Sequence, residues 1–126
     1  MNRCIANAAP PAIDLAAFRE VTGGDPQLER DLLGDFRDSI NEDDAGLRAA
    51  LARGDTDALR RYAHRIQGAC GVIGALELAA ACAAIQSAVK AAPHDAACID
   101  LSHFNHALAR LYTRVEQLLA GAGVET

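Results

Sequence analysis

The residues best suited to chemistry in this sequence are a histidine and the small and basic residues around it. His64 stands in the stretch Ala63-His64-Arg65-Ile66-Gln67-Gly68-Ala69-Cys70-Gly71-Val72-Ile73-Gly74. Imidazole presents a neutral, nucleophilic nitrogen near neutral pH without a separate base, so an exposed histidine can attack activated phosphorus directly. On a helix turning about 100° per residue, Leu59, Ala63, Ile66, Cys70 and Ile73 fall on one buried stripe. His64 falls on the other side, with Gly68 one turn on and Gly71 two turns on. A mid-helix glycine costs roughly 1 kcal/mol against alanine, and two of them beside one histidine predict that a bulky partner must reach the ring. Arg60, Arg61 and Arg65 add a local basic patch to a chain of net charge −5. On the helical wheel Arg60 and Gln67 flank the histidine more closely than Arg61 and Arg65 do. Such a patch suits a phosphoryl group and an acidic partner surface, while outward arginines also serve solubility alone.

Two other groupings invite a metal. His94, Cys98, His103 and His106 are near one another in the chain, but their spacing matches no structural zinc motif and Cys98 and His103 fall on different faces of the helix expected there. The run Glu29, Asp31, Asp35, Asp38, Glu42, Asp43, Asp44 could supply carboxylates to Mg²⁺ or Ca²⁺. Its spacing spreads it round the outer face of a helix, which reads as a solvated surface. No metal site is expected. The cysteines at 4, 70, 82 and 98 form no Cys-x-x-Cys pair, and Cys70 and Cys82 lie on apolar stripes, so buried, reduced thiols are expected.

His64-Arg65-Ile66-Gln67-Gly68-Ala69-Cys70, followed by Gly74-Ala75, Leu78 and Cys82, resembles the His-x-[Leu/Ile]-Lys-Gly … Gly-Ala-x-x-Leu-x-x-x-Cys pattern of histidine-containing phosphotransfer (HPt) domains, found free-standing or at the C-terminus of hybrid sensor histidine kinases. The layout from about Ile13 to Leu119 fits as well. The resemblance implies that His64 accepts a phosphoryl group from a receiver-domain aspartyl phosphate and passes it to another receiver aspartate. It implies no cofactor of the chain's own, the Mg²⁺ coming from the partner receiver, and a reactive Nε2. Arg60, Arg61, Arg65, Gln67, Gly68 and Gly71 are the candidate phosphoryl- or partner-contacting residues. One departure is Gln67, where the family commonly has lysine. Glutamine can donate only a neutral hydrogen bond, so either the phosphohistidine is less stabilised or Arg60 substitutes for the missing charge. A phosphate-independent helical adaptor is the competing reading.

The rest of the sequence bounds these readings. At 126 residues it makes one domain. About half the residues are apolar and only 4% aromatic, with alanine and leucine dominant, which favours packed helices. The acidic balance, pI near 5.2, excludes non-specific nucleic-acid binding. There is no Gly-x-x-x-x-Gly-Lys-[Ser/Thr] loop, so phosphorylation from ATP is not expected. No apolar run approaches the roughly 20 residues of a membrane span, and no signal-peptide pattern opens the sequence. A cytoplasmic location is expected, either free-standing or as the cytoplasmic end of a membrane-bound sensor kinase.

In chain order, residues 1–12 read as a lead-in or linker remnant. Asp14 caps a short helix through Leu15, Phe18 and Val21, ended by Gly23-Gly24. Asp25-Pro26 opens a helix whose stripe is Leu28, Leu32, Leu33, Phe36, Ile40, Leu47 and Leu51, with a weak point for a bend or break between Asn41 and Gly46. A turn at Gly54-Asp55-Thr56 leads into the His64 helix, about 56–73. Gly74 ends it, and a helix to about Ala91 follows on Leu78, Ala81, Cys82, Ile85 and Val89. After the loop at 92–95, a final helix is expected from about Ala97 to Ala120, with residues 121–126 frayed. The expected fold is all-α: an antiparallel four-helix bundle over residues 13–120 with a short additional N-terminal helix.

Overall fold

A computed structural model of the chain describes residues 11–121. The lead-in at 1–10, Cys4 and the tail at 122–126 lie outside the described residues. Within them every regular element is helical: α1 (Leu15–Thr22), α2 (Pro26–Ala52), α3 (Thr56–Ile73), α4 (Leu76–Ala91), a single 3-10 turn (Ala96–Cys98) and α5 (Ser102–Leu119). None of these helices is long and apolar enough to cross a membrane.

The helix starts follow from local hydrogen bonding. The first turn of a helix has N–H groups without intrahelical acceptors, and an aspartate before it supplies one. Asp14 accepts from the Ala17 amide, Asp25 from Gln27 and Leu28, and Asp55 from Ala58. Asp25 is followed by proline at the first helical position, where the missing N–H costs nothing. α3 ends at Gly74, in the left-handed conformation at φ +73°. A Cβ there would also lie 2.9 Å from the Asp14 carbonyl oxygen, because the Asp14 amide donates to the Gly74 carbonyl at 2.8 Å. That bond lays the start of α1 across the end of the His64 helix.

α3 packs between α2 and α4; α4 packs on α5, α5 returns to α2, and α1 covers α3 and α2. The core inside this ring holds Phe18, Ile40, Leu47, Leu59, Ile66, Ile73, Leu78, Phe104, Leu111 and Val115, each at most 1% exposed. Burying one such side chain stabilises by about 1.5–3 kcal/mol relative to leaving it in water. Polar links reinforce the seams. Tyr112 donates to Asn41 at 2.6 Å and Arg48 to Asn105 at 2.6 Å between α5 and α2, Arg110 pairs with Glu77 between α5 and α4, and the Thr56 hydroxyl at the start of α3 donates to the Pro93 carbonyl in the loop after α4.

Several expectations need correction. α2 runs unbroken through Asn41–Gly46. Gly46 is where α2 meets α3: a Cβ there would overlap the Tyr62 ring. α5 begins at Ser102, not near Ala97. Asp95 accepts from the Ala97 amide and sets the 3-10 turn, Ile99 is extended and tucks into the core, and Asp100 takes both the amide and the hydroxyl of Ser102. Val21 is exposed, at 55%, because α1 turns Thr22 inward, where its hydroxyl donates to Glu29 at 2.9 Å, and Leu28 at the start of α2 is 39% exposed. The acidic run is not wholly a solvated face: Asp43 is buried against α3, and Glu29 is largely covered beside Thr22 and Arg19. Cys70 and Cys82 are buried free thiols, and burial pushes both up to about 12. Cys98, by contrast, is exposed.

Candidate functional site

The apolar stripe of α3 decides where His64 points. Leu59, Ala63, Ile66, Cys70 and Ile73 are each 0% exposed. With 3.6 residues per turn, locking that stripe into the core forces position 64 outward. His64 is exposed, and neither ring nitrogen has a hydrogen-bond or ion-pair partner among the described residues. Gly68 and Gly71 lie on the same face, both exposed, and a Cβ built on either meets no atom within 4 Å. Nothing in the fold itself therefore requires glycine at these two positions. Beyond them the surface turns apolar, with Val72 43% and Leu76 62% exposed.

The three arginines divide into two arrangements. Arg60 and Arg61 both reach back one turn to Asp57, Arg60 at 3.1 Å, an exposed i, i+3/i+4 pairing of the kind worth a few tenths of a kcal/mol. Arg65 leans the other way, onto α2. Its Nη2 lies 3.2 Å from Oδ1 of Asp43, whose side chain is only 6% exposed. Its guanidinium sits 6.0 Å from the Tyr62 ring centre, within cation–π range. Arg60, Arg61, Tyr62, His64 and Arg65 together line one surface depression.

Gln67 faces α4. Its Oε1 accepts from Nε2 of Gln86 at 2.6 Å, and the same Nε2 donates to the Cys82 carbonyl at 3.2 Å. Among the described residues no three His, Cys, Asp or Glu side chains come together as a metal site. His94 lines a separate groove with Arg60, Gln86 and Lys90, whereas His106 lines another with Arg110 and Arg114 on α5.

The structure thus gathers the candidates His64, Arg60, Arg61, Gln67, Gly68 and Gly71 on the outward side of α3, and it ties Arg65 to α2. Sequence reasoning missed Asp43, Tyr62 and Gln86. Tyr62 carried a local signal, three residues before Arg65 on the same helix. Asp43 and Gln86 reach the site from other helices, and no spacing along the chain announces that.

Comparison with curated proteins and with solved structures gives no match. A family model described as the Hpt domain matches residues 31–120, from the first turns of α2 to the end of α5. That span is well over half of the sequence, so the chain belongs to the Hpt family, phosphocarriers of two-component signalling that interact with receiver domains and carry no catalytic activity of their own.

Proposed function

We propose that His64 is the phosphoryl acceptor, and that the domain relays phosphate from one receiver aspartate to another. The observation that carries this reading is the bare ground around the ring: His64 is exposed and unpartnered, and Gly68 and Gly71 leave space that no side chain of this chain fills. An aspartyl phosphate sits within a receiver's own surface, so the nucleophile must enter it, and backbone without side chains lets the two surfaces close to reacting distance.

In the transfer, a lone pair on one His64 nitrogen forms the N–P bond as the O–P bond to the aspartyl carboxylate breaks. The carboxylate departs with that electron pair. The attacking nitrogen carries no proton and the other ring nitrogen keeps its own, so no general base is needed. The reverse step, toward a second receiver aspartate, regenerates the imidazole. The receiver brings the Mg²⁺ and most of the charge stabilisation. This domain contributes a nucleophile held on a rigid helix of an antiparallel four-helix bundle, with Arg60 one turn before it on the same face and Gln67 as a neutral donor in the place of the family's common lysine. The apolar surface at Val72 and Leu76 extends the docking face beyond the glycines.

The test is transfer of label from a phosphorylated receiver domain to the wild-type protein and to His64→Gln. Acid-labile, base-stable label on the wild type alone is expected. Absence of label across a panel of receivers from the same cell would leave a helical adaptor as the better account.

A further inference from the structure

Resting on that reading of His64, we infer that Gln86 on α4 is a positioning residue that sets which way the Gln67 amide faces. The Cys82 oxygen can only accept a hydrogen bond, so the end of Gln86 that lies 3.2 Å from it is the NH₂ group. That same NH₂ lies 2.6 Å from the Gln67 amide, which must therefore present its oxygen to Gln86. With its oxygen held there, the Gln67 NH₂ points away from α4.

The outward NH₂ is available. It has no partner among the described residues, and no buried side-chain nitrogen or oxygen there lacks a hydrogen bond, so this group meets solvent. Gln67 lies three residues after His64 on one continuous helix, a spacing that makes side chains neighbours. Two N–H donors beside the ring suit the equatorial oxygens of a phosphoryl group. An amide turned over would present its oxygen to those anionic oxygens and repel them. A lysine would need no such control, because an ammonium donates in every direction. A glutamine at this position does need it, and Gln86, anchored by the Cys82 carbonyl, supplies it.

The experiment measures the half-life of the phosphohistidine formed on each isolated protein with phosphoramidate, a small donor that releases ammonia as the N–P bond to His64 forms. Gln86→Leu removes the donor, and Gln86→Glu offers only acceptors, inviting the Gln67 NH₂ inward. Each is expected to shorten the half-life by about three- to tenfold, the scale of one ordinary net hydrogen bond in a water-exposed place, as is Gln67→Ala. The double variant Gln67→Ala/Gln86→Leu should be no worse than Gln67→Ala. A purely structural role for Gln86 would lower thermal stability without that non-additivity. An unchanged half-life in Gln86→Leu, or an equal further loss in the Gln67→Ala background, overturns the positioning role and leaves His64 as acceptor. If the wild type takes no label and its His64→Gln variant behaves identically, the acceptor reading itself fails.

Discussion

Two seams on the same helix treat glycine in opposite ways. On the α2 side of α3, Gly46 leaves space that the Tyr62 ring fills, with Arg65 over that ring and onto the buried Asp43. On the outward side, Gly68 and Gly71 make room that nothing in the chain fills. The first glycine is explained by the fold. The other two carry their cost in helix propensity without any compensating contact within the chain, and they lie on the face where the proposed relay places its partner. A glycine in a helix is therefore informative about function in proportion to how little its own chain asks for it.

Exchanging the glycines for alanine is the sharpest way to break this contrast. Gly46→Ala should destabilise by about 1–2 kcal/mol, because displacing a packed ring outweighs the gain in propensity. Gly68→Ala should instead stabilise by about 0.5–1 kcal/mol while slowing transfer from a receiver severalfold. Thermal or urea unfolding and a transfer assay on the same two proteins read both effects. If Gly68→Ala transferred phosphate at the wild-type rate, the open face would have lost its functional meaning.

The arginines extend the comparison at smaller scale. Arg65→Ala leaves the Asp43 carboxylate covered and unpaired, and should cost about 1–2 kcal/mol of stability, a value reduced because Arg65 itself is well exposed to water. Arg60→Ala should leave stability within about 0.5 kcal/mol and slow transfer more than Arg61→Ala does. Equal transfer rates for the last two would remove Arg60 from the site.

The smallest effect concerns the start of the His64 helix. The Ala58 amide, followed by the charges of Arg53 and Arg61, holds the Asp55 carboxyl below its ordinary range. A carboxylate whose pKa is lowered by folding contributes stability at pH values above the unfolded carboxylate range and loses it as pH falls through the folded value. The difference in melting temperature between wild type and Asp55→Ala should therefore be largest near neutrality and shrink on acidification below the carboxylate range. A difference independent of pH would mean that the cap acts without its charge.

Much of this protein was legible in one dimension. Caps are contacts between residues two or three apart, so Asp14 and Asp25 announced their helices and the turn at Gly54-Asp55-Thr56 announced the next, and the 3.6-residue period sent His64 outward once Leu59, Ala63, Ile66, Cys70 and Ile73 were read as core. The start of α5 was misread because an apolar pattern alone does not distinguish a 3-10 turn and an extended Ile99 from helix. Asp43 was misread because charge predicts exposure until a partner on another helix is present to meet it. By itself, then, the sequence determined the helices, the apolar stripes and the direction of His64, all consequences of interactions within a few residues. Only the tertiary structure decided that Arg65 belongs to Asp43, that Gly46 belongs to Tyr62, and that Gln86 grips the oxygen of Gln67. Each of those pairings joins residues 16 to 22 positions apart in sequence, and such distances are closed only when the helices pack.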